Sequence, residues 1–557
     1  MSTNSPLPPT TTTTASNLFA AVDMGTNSFK LTLVRIDPSS RRLIILHRLR
    51  RPVLLGLDAS TSALTTTLSS ASLNRSISAL LKFKSYLHSH RLTPSHLRLV
   101  ATSAVRESSN NSEFIRTINE TLGYNVEIIS GTEEARFTYL GILQFFPLFK
   151  SRVLAIDIGG GSTEFTVGFE GNVLFSKSLR LGHVTLSKEF TDVTGMREHI
   201  RNVLEKSGLI EKIKEFKIDV VVGSSGTIKA IEKAASRGYT REVEENVGVS
   251  EDLFKRQWKF SREELRCLME KLCNEEEMGL AGKVRRVGFF KGRAEFILAG
   301  TILLNEVFER LEIEEIEVSG YALGEGVITE MLERDFEGFD LNVNARWRSV
   351  GRLASRFNNK KRMRAATMCA GIAREIFEGL RRTSELCDDE FSMPLDDMDL
   401  EYLEAASLLH NIGLCTGEKG YHKKSYRVIV NGDHLHGYTK EEIKLIAFLV
   451  RHHRKKFPSD ALDGSTNEKF KLLCTILRVS VTLQRYLPVN FQTMEFLRSS
   501  EGFKLVLSEG EARNQSPGIV EWEPLLSEGI NSHVEKELEH FKMVFKKSLS
   551  VVTSSSS

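Results

Sequence analysis

The chain has 557 residues, of which 41% are hydrophobic and 26% charged, and its 75 basic and 72 acidic side chains leave a net charge of +3. This ordinary globular composition argues against bulk disorder, a collagen-like sequence and a coiled-coil rod. An even charge balance gives no overall attraction to nucleic acid, and the longest apolar runs fall far short of the ~20 residues of a membrane span. We therefore expect a soluble protein of roughly three to four domains, without nucleic-acid or membrane partners.

Residues 1–17 are rich in Ser, Thr and Pro and carry no charge. Plastid transit peptides are also Ser-rich, but they carry Arg and an amphipathic stretch as well. We therefore predict a disordered tail and a cytoplasmic protein, with plastid targeting as the less favoured alternative. The six cysteines form no C-x-x-C pair, which predicts neither a zinc site nor a disulfide framework and fits a reducing compartment.

Residues 22–33 and 156–167 repeat one pattern, with Asp, Gly, Ser and Thr at the same four places. Each copy begins with an apolar β-prone run, breaks at a Gly-rich turn and continues with alternating β-branched residues, which predicts a hairpin. In a Rossmann unit the glycines would instead open a helix. Two such hairpins predict two similar subdomains that face each other.

Strand-like and helical patterns alternate through the first part of the chain. Helical patterns occupy residues 70–88, 227–235 and 297–311, and strand-like runs occupy residues 97–101, 126–129, 219–222 and 316–319. This alternation predicts an α/β class, and we place the two subdomains at 18–150 and 151–335. The charged stretch 237–287 is predicted to be mostly helical.

Beyond about residue 335, the apolar residues recur only at helical spacing, in 350–357, 365–380, 402–409 and 443–450. We therefore predict an all-helical domain over 340–495. The less regular remainder, 496–557, is expected to form a small α+β extension that ends in a frayed tail at 553–557.

The two Gly-rich turns have the composition of phosphate-binding loops. A strand that ends in Asp and enters such a turn presents backbone N–H groups and hydroxyls to an anion, and glycine lets the backbone approach closely. Asp23 and Asp157 cannot bind phosphate directly, but carboxylates beside a phosphate loop usually hold Mg²⁺. A single copy would be read as an ordinary hairpin, whereas the matched pair favours a phosphate site held from both sides.

Four segments resemble, in order, the motifs of the exopolyphosphatase/guanosine pentaphosphate phosphatase family of the actin, Hsp70 and sugar-kinase superfamily. They read DMGTNSF at 23–29, TSAVR at 102–106, ISGTEEAR at 129–136 and IDIGGGSTE at 156–164. The resemblance runs from about 18 to 335 and continues more weakly through 421–456. It implies an α/β fold of two actin-like (ribonuclease H-like) subdomains facing across a cleft, followed by an all-helical HD-like domain.

The resemblance also implies roles for individual residues. Glu134 would be the general base that activates water, and Arg106 would contact the terminal phosphate. Asp157 and Glu164 would hold Mg²⁺. The residues implied to bind phosphate are Gly25, Thr26, Asn27, Ser28, Gly159, Gly160, Gly161, Ser162, Thr163 and Gly226. One departure is Gly324, which stands where the family often has Arg before Glu-Gly and which predicts a weaker contact there.

The helical domain lacks the ligands of a working HD-type metal site. The required His-Asp pair reads His410-Asn411, and the later aspartate position is Val481 or Thr482. Amides and apolar groups cannot replace carboxylates around a hard dication. We therefore predict no second metal-dependent phosphohydrolase site, and we interpret His410 as a packed core histidine.

Two local basic clusters stand out in the same domain, represented by Lys423, Lys424, Arg454 and Lys455. One interpretation is that they are solvated helix ends. The alternative is a path for a polyanion leading to the phosphate loops, since each local cation adds affinity as counterions are released.

The sequence thus predicts a Mg²⁺-dependent phosphoanhydride hydrolase that releases terminal phosphate from inorganic polyphosphate, guanosine pentaphosphate or both. A catalytically weak regulatory protein that binds nucleotide or polyphosphate is the alternative in another class, and an ATP-dependent sugar or acetate kinase shares the fold. Substrate preference and oligomeric state stay open, with a homodimer as one option.

Overall fold

The structure of the protein, a computed structural model, describes residues 17–36, 43–55, 60–61, 66–236, 258–277, 290, 293–336, 345–385, 396–432, 434–454, 464–486, 491–499, 502–509, 519–521 and 528–555. Residues 1–16 of the predicted tail lie outside these ranges. Within them, no helix is long and apolar enough to cross a membrane.

The first subdomain is built on a five-stranded sheet of order β3-β2-β1-β6-β7, in which β1 to β3 form an antiparallel meander and β1, β6 and β7 run parallel. Its strands are β1 (Leu18–Met24), β2 (Ser28–Ile36), β3 (Leu43–Pro52), β6 (Leu97–Ala101) and β7 (Val126–Ile128), with a separate pair, β4 (Ser60–Thr61) and β5 (Thr66–Thr67). Its helices are α1 (Ser70–Ser89), α2 (Ser103–Arg106), α3 (Asn111–Leu122) and α4 (Gly131–Leu143), with a 3-10 turn at Pro94–His96.

The second subdomain repeats this arrangement in a six-stranded sheet of order β10-β9-β8-β11-β13-β12. Its strands are β8 (Val153–Ile158), β9 (Thr163–Phe169), β10 (Asn172–Leu179), β11 (Val220–Ser224), β12 (Lys259–Ser261) and β13 (Glu315–Val318). Its helices are α5 (His183–Glu189), α6 (Val193–Lys206), α7 (Leu209–Lys214), α8 (Gly226–Ser236), α9 (Arg262–Glu277), α10 (Ile297–Leu311) and α11 (Leu323–Asp335).

The shared strand order confirms the two similar subdomains that the sequence repeat predicts. An antiparallel meander followed by two parallel strands occurs in both sheets. Within the stretch 237–287, which was predicted to be mostly helical, the described residues 258–277 are mostly helix α9, preceded by the short strand β12. This strand pairs antiparallel with β13 at the sheet edge. Three residues are too few to show the alternating pattern of a strand in the sequence, next to the longer helical pattern that follows.

The register of the two hairpins places charged residues at equivalent positions. Asp23 of β1 faces Lys30 of β2, and Asp157 of β8 faces Glu164 of β9. The second copy therefore carries a carboxylate where the first carries an ammonium. This difference concentrates negative charge on the second subdomain's side of the cleft.

Helices α4 and α11 pack against each other between the two sheets, in a core that includes Phe137, Val327 and Ile328. Their close approach depends on glycine. A Cβ at Gly326 would collide with the Phe137 carbonyl oxygen, and a Cβ at Gly141 would collide with the Ala322 carbonyl oxygen. The contact fixes the start of α4, which carries Glu134, relative to the second subdomain.

The helical region contains α12 (Ala345–Phe357), α13 (Lys360–Glu385), α14 (Asp397–Leu409), α15 (Tyr421–Asn431), α16 (Lys440–His452) and α17 (Gly464–Tyr486), with a 3-10 turn at Ile412–Thr416. Side-chain caps begin two of these helices, because Asp396 accepts from the backbone N–H of Asp399 and Thr439 accepts from that of Glu442. These helices confirm the predicted helical region beyond residue 335.

The C-terminal extension is a four-stranded sheet of order β14-β15-β17-β16 with one helix. It comprises β14 (Phe491–Ser499), β15 (Gly502–Glu509), β16 (Ile519–Glu521), α18 (Glu528–Phe545) and β17 (Ser548–Ser555). Its Phe503 and Phe541 belong to the same hydrophobic core as the helical region. The extension is α+β as predicted, but β14 begins inside the predicted helical range, and residues 553–555 are paired in β17 and not frayed. The predicted domain limits themselves stay predictions.

Candidate active site

The two Gly-rich turns touch each other across the cleft between the subdomains. A Cβ on Gly160 would lie 3.1 Å from the Cβ of Thr26, and one on Gly161 would lie 2.7 Å from the hydroxyl oxygen of Ser103. A side chain at Gly160 would therefore crowd the opposite turn, and one at Gly161 would crowd the start of α2. The predicted pair of facing loops is present, with their backbones at close range.

A cavity of about 90 Å³, called here the central cavity, lies between these turns. Most of the predicted site residues line it: Gly25, Thr26, Asn27, Ser28, Glu134, Asp157, Gly159, Gly160, Gly161, Ser162, Glu164 and Gly226. Thr163 does not, because it is fully buried and its hydroxyl donates to the Leu181 carbonyl at 2.5 Å. This geometry does not support the predicted phosphate contact for the Thr163 side chain.

Glu134 lies in the first turn of α4, next to Arg106 from α2. The Ser130 side chain accepts the backbone N–H of Glu133 and caps the helix, so the first turn is fixed. Arg106 Nη1 is 3.0 Å from Glu134 Oε2 and also donates to the Ile129 carbonyl at 3.0 Å. The two predicted catalytic residues therefore meet in an ion pair, and Arg106 has a second anchor. Glu134 lines the central cavity, whereas Arg106 lies behind it and does not.

The carboxyl groups of the site have raised proton affinities. Burial, followed by the charge of Glu164, raises the pKa of Glu134 well above its ordinary value, although Arg106 acts in the opposite direction. Burial raises the pKa of Asp157 to about 6, against the stabilising charge of Lys30. Burial and the charge of Asp157 raise the pKa of Glu164 to about 7. The Glu164 carboxyl is thus repelled by Asp157 and repels Glu134, and a bound cation would relieve this repulsion.

Asp157 and Glu164 are the donors that fit a magnesium ion. They are cross-strand partners with hard oxygen ligands, and the Glu164 carboxylate is oriented by the Ser178 hydroxyl at 2.8 Å. Among the described residues, no three His, Cys, Asp or Glu side chains form a metal cage of their own. Such a pair suits Mg²⁺, which commonly takes one or two carboxylates and completes its shell with water and phosphate oxygens.

Basic groups that were not among the predicted site residues also line the central cavity. Lys30 faces Asp23 on one side, at 2.8 Å, and is the register partner of Arg50 on the other. Arg50 donates to the Ser28 hydroxyl at 2.8 Å, and Arg293 lies against Gly226 at the start of α8. The position of Lys30 within the repeat was a usable signal. For Arg293 the only signal was the family resemblance of residues 291–295, where Glu295 stands in place of the common Asp.

His183 completes the second subdomain's wall of the central cavity. Its backbone N–H donates to the Gly159 carbonyl, and its Nδ1 lies 3.2 Å from the Thr227 hydroxyl. Burial lowers the pKa of His183 to about 3, so the ring is neutral. It therefore supports the loop without adding charge.

The glutamate after Gly324 has a structural role at the start of α11. Glu325 is buried, accepts the Ala322 backbone N–H at 2.8 Å and forms an ion pair with Arg48 at 2.7 Å. A Cβ on Gly324 would lie 3.2 Å from the Thr32 hydroxyl oxygen. The predicted weakening of a phosphate contact at Gly324 stays a prediction.

His410 is buried in the helical core, as predicted. Its Nδ1 donates to the Ser407 carbonyl at 2.8 Å, its ring packs edge-on against His453, and burial lowers its pKa to about 4. The Asn411 amide donates to the Arg362 carbonyl and accepts from Asn358. These contacts confirm the interpretation of His410 as a packed core histidine.

The basic clusters lie on α15 and just after α16. Lys423 is exposed, Lys424 donates to the Thr416 carbonyl at 2.9 Å, and Arg454 lies over the Tyr421 ring. Lys455 is outside the described residues. None of the described members lines the central cavity, so the polyanion path stays a prediction.

Comparison with known proteins identifies the chain's family. A model described as the Ppx/GppA phosphatase family matches residues 32–335, and a model of Ppx/GppA phosphatase domain III matches residues 345–522. The chain belongs to the Ppx/GppA phosphatase family. With the duplicated sheets, this membership confirms the predicted family, the actin-like α/β fold class and the hydrolase class.

Curated relatives and solved structures of this family are similar to the chain over long ranges. A guanosine-5'-triphosphate,3'-diphosphate pyrophosphatase from Pseudoalteromonas translucida is 28% identical over 484 residues, covering 84% of this chain and 87% of that protein. Its counterpart from Vibrio vulnificus is 28% identical over 506 residues, covering 88% and 92%. A crystal structure of an exopolyphosphatase from Cytophaga hutchinsonii is 26% identical, with a TM-score of 0.48, and covers 57% of this chain and 98% of that one.

Proposed function

We propose that this Ppx/GppA protein is a Mg²⁺-dependent enzyme that releases the terminal phosphate of inorganic polyphosphate, guanosine pentaphosphate or both. The observation that carries the proposal is the placement of Glu134. Its partly buried carboxylate has a raised pKa, lies 3.0 Å from Arg106 and lines the cavity between two facing Gly-rich turns. A base with an elevated pKa, beside a guanidinium and two phosphate loops, suits attack of water on a phosphoryl group.

The reaction follows from these groups. Backbone N–H groups of the two Gly-rich turns hold the terminal phosphate, and Arg106 neutralises its oxygens. The Gly159 N–H is not one of them, because it donates to the Ser162 carbonyl at 2.8 Å. Water attacks the terminal phosphorus, forms one O–P bond and gives its proton to Glu134. The bridging P–O bond breaks, and the shortened chain leaves with the bridging oxygen. When bound, Mg²⁺ would supply further positive charge to the phosphoryl oxygens, and Asp157 and Glu164 would hold it.

Two other functions compete with this proposal. A regulatory protein that binds nucleotide or polyphosphate would not require Glu134, whereas the chain keeps both Glu134 and Arg106 in direct contact. A kinase of the same fold would transfer phosphate to a sugar or carboxylate acceptor instead of releasing it. The Arg106–Glu134 pair therefore favours the hydrolase over the binding protein, and product analysis separates the hydrolase from the kinase.

The proposal is tested by phosphate release from the purified full chain. Polyphosphate and guanosine pentaphosphate are compared side by side, with Mg²⁺ and with EDTA. The proposal predicts Mg²⁺-dependent release of inorganic phosphate from at least one of them. Tight binding of both without turnover would favour the regulatory alternative, and release only when an acceptor is added would favour a kinase.

We place the protein in the cytoplasm, and we propose a homodimer as its assembly. Light scattering after size-exclusion chromatography tests the homodimer.

The polyanion path is a separate part of the proposal. Neutralising Lys423, Lys424, Arg454 and Lys455 together should weaken long polyphosphate far more than guanosine pentaphosphate, because the terminal phosphate would still reach the central cavity. Each lost contact should also flatten the log–log salt dependence of affinity by about 0.7, on the scale of single-stranded nucleic acid. Equal losses on long and short substrates would indicate damage to the fold, and no loss would make the clusters solvated helix ends.

A further inference from the structure

A second cavity lies at the junction between the second subdomain and the helical region. Its volume is about 200 Å³, which is larger than that of the central cavity, and the two share no lining residue. Its walls come from the segment after α4, from β12 and β13, from α12, and from the loop between α15 and α16. This space is called here the junction cavity.

The charged groups that line the junction cavity are mainly basic. Arg352 and Arg356 lie one turn apart on α12, and Lys259 and Glu317 are cross-strand partners on β12 and β13. Lys259 also forms an ion pair with Glu315 at 2.7 Å. Among the described residues that line the cavity, three are cations and one is a carboxylate, so their charge suits an anion better than a cation.

The two arginines are presented in a way that suits a tetrahedral anion. The Arg352 guanidinium packs over the Phe146 ring at 5.3 Å and lies 3.0 Å from His436 Nε2. Packing of this kind fixes the plane of the guanidinium, and a guanidinium carries five N–H donors along its edge. Arg356, four residues further on, faces the same space. Guanidinium groups one helical turn apart can donate to different oxygens of one phosphate group.

Trp258 adds an unsatisfied donor to the same wall. Its indole Nε1 is buried, and no acceptor for it lies within the part of the chain that the structure describes. Its ring packs edge-on against Phe145 at 5.5 Å, so the indole is held in place. A buried indole N–H without a partner is costly. Trp258 lines the junction cavity, so a ligand that opens this wall by a small shift of the indole would supply the missing acceptor.

We propose that the junction cavity is a second anion site, which binds a small phosphate-bearing molecule through Arg352, Arg356 and the Trp258 indole. The phosphate group is the chemistry that the site recognises. It can come from inorganic phosphate, which is the product of the proposed reaction, or from a mononucleotide. Because its walls belong to two parts of the molecule, an occupied site would hold the second subdomain and the helical region together.

The experiment titrates the full chain in phosphate-free buffer with inorganic phosphate and, separately, with GMP. Binding is followed by calorimetry and by tryptophan fluorescence, in a background carrying Arg106→Gln to weaken the central cavity. Arg352→Gln combined with Arg356→Gln removes the arginines, and Trp258→Phe removes the indole N–H while keeping a ring. Trp347→Phe is the matched control, since the Trp347 indole points to the Leu43 carbonyl, away from the junction cavity.

The proposal predicts millimolar or tighter binding that loses about tenfold or more in affinity in the double arginine variant. Trp258→Phe should weaken binding and abolish the fluorescence change, while Trp347→Phe leaves both in place. Equal affinity for phosphate and GMP would show that the phosphate group alone is recognised. Binding of phosphate alone would identify free phosphate as the ligand, and binding of GMP alone would identify a nucleotide. Arg352→Lys keeps the positive charge and serves as a variant that should still fold. Binding that is unchanged in every variant, or absent for both probes, overturns the proposal.

Discussion

Replacing Glu134 with Gln removes the proposed general base with little change in shape. The carboxylate is 14% exposed, and its repulsion from Glu164 disappears with its charge, so the variant should fold at least as well as the wild type. Arg106 loses one partner but keeps its hydrogen bond to the Ile129 carbonyl. Binding of substrate should therefore survive the change.

The cost of Glu134→Gln should appear in kcat. General base catalysis typically contributes a factor of about 10²–10⁴. That factor corresponds to about 3–5 kcal/mol of activation free energy. The assay is the initial rate of phosphate release from guanosine pentaphosphate over a range of substrate concentrations, which separates kcat from KM.

Glu133→Gln is the matched control, because Glu133 is the neighbouring carboxylate on the same helix turn. It is about half exposed, forms an ion pair with Arg136 and does not line the central cavity. We expect its kcat to stay within a few-fold of the wild type, since only an exposed pair is lost. If Glu134→Gln also stays within about tenfold, the general-base role is refuted.

Three further changes test other parts of the account. Asp157→Asn should raise the Mg²⁺ concentration for half-maximal activity about tenfold or more, and an unchanged titration would exclude a metal role. Because burial lowers the pKa of His410 to about 4, the folded state binds fewer protons than the unfolded state, and stability should fall as the pH drops below 6.5. Between about pH 7.5 and pH 5 this histidine should cost about 2 kcal/mol in urea unfolding, and His410→Gln should flatten that dependence. Gly326→Ala places a Cβ against the Phe137 carbonyl and should destabilise the protein by about 1–3 kcal/mol, with Gly324→Ala as the milder control; equal melting temperatures would contradict the packing described.

The hairpins and their registers were predictable because they depend on local periodicity. The repeat fixes which residues of β8 and β9 share a face, so Asp157 and Glu164 become neighbours by counting alone. The same counting brings Lys30 beside Asp23. It does not give the pairing of Lys30 with Arg50, because β3 lies outside the repeat and its register with β2 shifts at a bulge. Helix α10 matches its predicted range of 297–311, since its apolar pattern is long and uninterrupted.

Contacts between distant segments were not predictable from spacing. Arg106 meets Glu134 because α2 and α4 follow two adjacent parallel strands, and only the family resemblance pointed to that pair. Arg293 reaches Gly226 from a loop without periodicity. Thr163 is the converse case, in which the motif predicted a contact that the geometry does not support. The motif implied that Thr163 binds phosphate, whereas its hydroxyl donates to the Leu181 carbonyl.

The most direct test of the central claim is the fate of solvent oxygen. Turnover of guanosine pentaphosphate in ¹⁸O-labelled water, followed by mass spectrometry of both products, shows which phosphorus the water attacks. If water activated by Glu134 attacks the terminal phosphorus, one labelled oxygen appears in each inorganic phosphate and none in the nucleotide. Label in the nucleotide product, or phosphate released without label, would contradict the account.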